Sequence, residues 1–112
     1  MKLDLKLRIL HADEVAIGPG KADLLEAIAE TGSISAAARS MDMSYRRAWL
    51  LVDVMNRSFK EPLVLSAAGG SHGGGAQLTE TGAAVLSRFR KMQQAAEKAV
   101  SKHIAHFEAL LK

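Results

Sequence analysis

A mostly helical domain carrying one small β-hairpin is the fold class this sequence predicts. Three observations predict it. Stretches with a capping residue and helical apolar spacing fill most of the chain from Lys21 onward. Two short apolar segments, Leu63-Val64-Leu65 and Gln77-Leu78, flank a glycine-rich tip. The length, 112 residues, fits a single small domain whose core must be thin.

The elements follow in order. Leu3, Leu5, Leu7 and Ile9 alternate with Lys2, Asp4, Lys6, Arg8 and Leu10, which reads as a strand with one apolar face. Gly18-Pro19-Gly20 then breaks the chain. A helix is expected from about Lys21 to Glu30, with Leu24, Leu25 and Ile28 on one side and Gly32 as its stop. Ser33 and Ser35 are both candidate N-caps for a short second helix. Its small residues Ala36, Ala37 and Ala38 allow close approach, and it closes at Met41-Asp42. Ser44 caps a third helix running to about Ser58, with Ala48, Val52, Met55 and Phe59 as the buried stripe. Arg46, Leu50, Asp53 and Arg57 fall on the opposite face, and Pro62 ends any helical reading. The predicted hairpin spans the glycine-rich segment between Ser66 and Gly75. Thr79 caps the last helix, with Glu80 favourable in its first turn. Val85, Phe89, Met92, Ala96, Val100, Ile104, Phe107 and Leu111 form one continuous stripe along it. A helix of that reach is about 50 Å long, more than a domain this small can cover, so a second copy is expected on its far end.

Strand, three helices, hairpin and long helix make the winged helix-turn-helix layout. Residues 1–78 are assigned to the winged domain and 79–112 to a dimerisation helix. There is no cysteine, which removes disulfides, thiolate metal sites and thiol nucleophiles. The N-terminus mixes charge with leucine and does not read as a signal peptide, and no stretch approaches the roughly 18 apolar residues of a spanning helix. A soluble, cytoplasmic protein without membrane association is expected. The net charge, +3, is too small to announce nucleic-acid binding, so placement matters more. Arg46, Arg47, Arg57 and Lys60 crowd one stretch opposed only by Asp53, whereas acidic residues gather near Asp13, Glu14, Asp23, Glu26 and Glu30.

The strongest constellation is Ser33 to Arg57, two capped helices joined by a tight turn. The second helix of such a unit enters the major groove of double-stranded DNA and offers its first residues to base edges. Those residues are Ser44, Tyr45, Arg46 and Arg47. Arg46 is the best base reader, because a guanidinium can bond two acceptors of guanine at once. Arg57, on the same helix, and Arg39 are assigned to phosphates, as are Ser33 and Ser35 near a helix N-terminus. Trp49 lies at the flank of the buried stripe and is assigned to packing against the long helix or a partner. In the glycine-rich segment, Ser71 and His72 are candidate wing contacts to the backbone, set against a plain hairpin loop. A nucleotide phosphate loop is excluded, since no lysine follows the glycines and a strand comes next. His103 and His106 stand three apart with Glu108 near, but no set of metal ligands is completed. No catalytic pairing stands out. Neither an enzyme, nor a metal, nor a cofactor is expected.

At Gly32-Ser33-Ile34-Ser35-Ala36-Ala37-Ala38 and Met43-Ser44-Tyr45-Arg46-Arg47-Ala48-Trp49, the chain resembles LysR-type DNA-binding domains. More specifically, it is similar to the N-terminal domain of the ModE, molybdate-responsive, regulator family. The Ser44-Tyr45-basic-x-Ala48-Trp49 run, Met55-Asn56, and the wing from Gly69 to Gly82 carry that closer likeness, which covers about residues 20 to 100. The resemblance implies a homodimer paired through the long helix, on an inverted repeat, in transcriptional control often tied to molybdenum. Family members that sense molybdate carry further C-terminal oxyanion-binding domains. This chain stops at Lys112, so molybdate is not expected to bind it. Asp42 stands where glycine is common at the helix-turn-helix corner, and aspartate tolerates the left-handed conformation better than most residues. The expected function is therefore a dimeric, sequence-specific DNA-binding transcriptional regulator. The alternatives are a protein-binding module on the same scaffold and a small oxyanion- or metal-binding protein.

Overall fold

The computed structural model describes residues 1–67 and 75–112. Its elements are β1 (Ile9–His11), β2 (Glu14–Ile17), α1 (Pro19–Thr31), α2 (Ile34–Ser40), α3 (Tyr45–Ser58), β3 (Val64–Ser66), β4 (Ala76–Leu78) and α4 (Glu80–Leu110). The expected layout is present, with one addition. An N-terminal hairpin precedes the three helices.

That hairpin corrects the expected strand over the first ten residues. Only Ile9–His11 is strand, paired antiparallel with Glu14–Ile17 in the register Leu10↔Val15 and His11↔Glu14. The turn is Ala12-Asp13, both at positive φ (51° and 63°), the geometry a two-residue hairpin loop needs. The turn fixes the register. Since β2 runs straight into Gly18 and α1, no backbone is left to pair with residues 1–8. Leu5 and Leu7 still turn partly inward, so the alternation is real without being a strand.

Gly18-Pro19-Gly20 starts α1 earlier than expected. Gly18 is the extended N-cap and Pro19 is the first helical residue, where a missing N–H is harmless. Gly32 closes the helix at φ 78°, its N–H bonded to Ile28 O. Of the two candidate caps for α2, Ser33 is the cap: its Oγ accepts from Ala36 N at 2.9 Å. The corner between α2 and α3 turns at Asp42, left-handed at φ 55°. Met43 N closes it on Ala38 O. Ser44 Oγ then accepts from Arg47 N at 3.1 Å and opens α3.

The core lies between α1, α2, α3, the hairpin and the start of α4. Leu24, Leu25, Ile28, Met55 and Leu63 are fully buried in it. Of the expected α3 stripe, Ala48, Val52 and Met55 are buried and Phe59 packs partly against them. Phe89 is the last buried residue of α4, and beyond Met92 the helix leaves the body. Arg90 marks the departure, bonded to Asp23 at 2.8 Å and paired with Glu26 at 3.5 Å on α1. The departing helix draws the molecule out to 59 Å along its long axis. No helix among the described residues is long and apolar enough to cross a membrane.

Candidate nucleic-acid interface

The second helix of the corner, α3, displays its outer face at the surface. Ser44, Tyr45, Arg46 and Arg47 are all exposed, and Ala48, directly after them, is the first buried residue. Among the described residues, neither Arg46 nor Arg47 pairs with a carboxylate. Their charge therefore stays available to an outside anion. Helical spacing puts Arg46 near the middle of the outward face, Arg47 on one flank, and Tyr45 with Trp49 on the other. Trp49 is 48% exposed, so the chain itself covers only half of a residue expected to pack.

Arg57 is set apart from this group. It lies three turns along α3, with Nε bonded to Asp53 at 3.0 Å and Nη2 3.6 Å from Glu14 on β2. The hydrogen bond to Asp53 and the nearby Glu14 charge raise its affinity for its proton. The guanidinium faces two carboxylates, which is the reverse of the surroundings of Arg46. On α2, Arg39 Nη1 donates to Ser35 Oγ at 2.9 Å, one turn apart and both exposed. Ser33 uses an oxygen lone pair as the cap and keeps its hydroxyl proton for another acceptor. Ser71 and His72, the expected wing contacts, lie outside the described residues.

The root of the wing is held by groups that sequence spacing does not reveal. Asn56, on α3, brackets the start of β3: Oδ1 accepts from Leu63 N (2.8 Å) and Val64 N (3.1 Å), and Nδ2 donates to Val64 O (3.1 Å). Thr79 N donates to Leu63 O at 2.9 Å, and Thr79 Oγ1 donates to Pro62 O at 2.7 Å while accepting from Gly82 N. Gly82 packs so close that a Cβ there would collide with the Leu63 carbonyl oxygen. Ala76 N bonds Gly32 O, tying β4 to the corner ahead of α2. The wing thus emerges from a fixed base beside the helix-turn-helix. Only Met55-Asn56, within the family-like run, hinted at this bracket.

The family model described as bacterial regulatory helix-turn-helix protein, lysR family, matches residues 21–83. The chain is similar to the molybdenum-pterin-binding protein MopA of Rhodobacter capsulatus, 40% identical over 84% of this chain and 36% of the relative. It is 42% identical to the molybdenum transport protein ModE of Azotobacter vinelandii, over 70% of this chain and 29% of that protein. The DNA-binding transcriptional dual regulator ModE of Escherichia coli K12 is 33% identical over 88% of this chain and 38% of its own length. The chain thus spans about a third of the length of these curated relatives. Among solved structures, the DNA-binding domain of CbnR in complex with DNA superposes with TM-score 0.59 at 23% identity. That match covers 78% of this chain and 94% of the other. At that identity the likeness bears on fold alone.

Proposed function

The chain belongs to the bacterial LysR-type regulatory helix-turn-helix family, and from that premise we propose that it binds an inverted-repeat DNA site as a homodimer, through the first turn of α3. The observation that carries this reading is the pair Arg46 and Arg47, exposed at a capped helix start and, among the described residues, unpaired with carboxylates. Arg46 reads a base and Tyr45 and Ser44 flank it. Arg47, Arg39, Ser35 and Ser33 hold the backbone, with Ser71 and His72 as further contacts from the wing. Arg57, tied to Asp53 and Glu14, is left out of the phosphate contacts. The regulator works in the cytoplasm on molybdenum-related genes, a role taken from the names of its relatives.

The homodimer reading rests on α4. Its apolar positions 85, 89, 92, 96, 100, 104, 107 and 111 are spaced symmetrically about residue 98. Two antiparallel copies in that register set Val85 against Leu111, Phe89 against Phe107, Met92 against Ile104, and Ala96 against Val100. A two-fold interface requires this self-complementarity. The near half already offers a socket, an apolar groove of about 590 Å³ over Phe89, walled by Ile9, Ile17, Phe59, Val85 and Met92. The far half offers the plug, since Phe107 and Leu111 are 60% and 57% exposed. Charge agrees, because Arg88 on the groove rim comes opposite Glu108 of the second copy. Residues 79–112 are accordingly the dimerisation helix, and its first turns also complete the core of the winged domain.

Selection of bound DNA from random sequence tests the reading and should return an inverted repeat. Arg46→Ala should then weaken the selected site by about 1–3 kcal/mol and relax one base position. Wild-type affinity in that variant removes Arg46 from base reading. A wild-type protein whose DNA affinity shows no salt dependence overturns the whole reading, because phosphate contacts release counterions.

A further inference from the structure

The N-terminal hairpin, the start of α1 and one flank of α3 enclose a notch of about 350 Å³ with four cationic side chains in its lining. These are Lys6, Arg8, Lys21 and Arg47, and among the described residues no carboxylate lines the notch with them. Two acids act on the cluster from outside the lining: Asp4 pairs with Lys6 at 3.9 Å in the open, and Glu14, paired with Arg57, also pulls on Lys21. Gly18 lets the cluster close up, since the Arg8 stem lies where a side chain at 18 would go, its Cγ 3.2 Å from that Cβ position. Gly20 leaves open space in front of the first turn of α1. Lys21 is half-buried, with Nζ on Val15 O, and burial lowers its proton affinity against the pull of Glu14. Four like charges held this close repel one another. The fold tolerates an arrangement that an anion would relieve.

We propose that this notch grips a phosphodiester of bound DNA, on the strand that passes the Arg47 flank of the recognition helix. The inference rests on the DNA-binding reading above and extends it to the N-terminal segment, since Lys6 and Arg8 precede the residues matched by the family model. Arg47 supplies the link. It belongs both to the first turn of α3 and to the notch, whose wall continues along α3 through Met43 and Leu51. When α3 lies in the major groove, its two flanks face the two phosphate strands that border the groove. The notch is therefore presented to one of them. A contact of this kind fixes register and orientation and carries no base information.

Lys6→Gln with Arg8→Gln tests this, keeping the first two methylenes of each side chain while removing two charges outside α3. The slope of log affinity against log salt should become shallower by about 1.8, at roughly 0.9 for each phosphate that is no longer neutralised. Phosphates whose ethylation blocks wild-type binding should lose that effect at one position flanking each half-site. The sequence selected from random DNA should be unchanged, and Lys6→Arg should keep the full slope. An unchanged slope and ethylation pattern in the double variant overturns the notch contact and leaves the α3 reading intact. A wild-type protein without salt-dependent DNA binding removes both. Stoichiometric, micromolar binding of inorganic phosphate or molybdate, abolished in the double variant, overturns the assignment to DNA in favour of a free oxyanion.

Discussion

The two principal helices, α3 and α4, follow one amphipathic rule and end with opposite surfaces. Each buries a stripe at helical spacing, through Ala48, Val52 and Met55 in α3 and Phe89 in α4. Outside its stripe α3 presents arginines: Arg46 and Arg47, which pair with no carboxylate among the described residues, and Arg57, which faces two. Beyond Met92, α4 presents the continuation of its own apolar stripe. A cationic open face suits an anionic partner, and an apolar open face suits a second apolar face. The atoms that each helix leaves uncovered thus separate the proposed nucleic-acid surface from the proposed protein surface within one chain.

Where α4 is rooted, the contrast can be broken outright. Gly82→Ala puts a methyl group against the Leu63 carbonyl, and the expected cost is about 3 kcal/mol or more of stability, read as a lower thermal midpoint. An unchanged midpoint would mean that the α4–wing junction is looser than the packing indicates. Phe107→Asp acts on the open end instead. It should leave the monomer folded and raise the dimer dissociation constant at least about a hundredfold by sedimentation, as the loss of a central aromatic anchor does. A variant that remains dimeric at wild-type concentrations rejects the register centred on residue 98.

At the root of α3 the effect is smaller. Ser44→Ala removes the cap and should destabilise the fold by about 1 kcal/mol, checked by urea unfolding. It should also loosen the first turn that carries Arg46, lowering specific DNA affinity more than non-specific affinity. Arg57→Gln should have the least effect of all. Exposed ion pairs contribute little, so its unfolding midpoint and its DNA salt slope should both stay close to wild type. A slope reduced by about 1.8, at roughly 0.9 for one phosphate in each half-site, would return Arg57 to the phosphate contacts and erase the difference between the two ends of α3.

Much of the fold was legible in the sequence because helices announce themselves locally. Ser44 and Thr79 are caps, Gly32 is a stop, and the stripes of α3 and α4 keep their period over many turns. The corner was legible for the same reason, since the left-handed Asp42 is a one-residue matter. The N-terminal hairpin was not. Its partner strand is four residues long, and Glu14 at its start read as one of a set of acidic residues. Only a turn at Ala12-Asp13 decides where the leucine alternation stops being a strand. The bracket made by Asn56 and the notch made by Lys6, Arg8, Lys21 and Arg47 were not legible either. Each joins residues from separate elements, and no spacing rule along the chain connects them. Arg57 differs from the open Arg46 through Asp53, one turn away, and through Glu14, a residue 43 positions away that no spacing rule connects to it.

The carbonyl of Leu63 has a mechanical consequence. It receives Thr79 N, abuts Gly82, and belongs to the residue whose N–H is held by Asn56 of α3. The recognition helix, the wing root and the long helix therefore meet at one residue, with no slack peptide between them. Torque applied to the outer end of α4 would pass through this residue to the start of β3 and to α3. In a pair of chains, the angle at which the two long helices cross would set the pitch between the two reading heads. A twist of a few degrees near residue 98 would then retune the fit to DNA without any contact to DNA changing its identity.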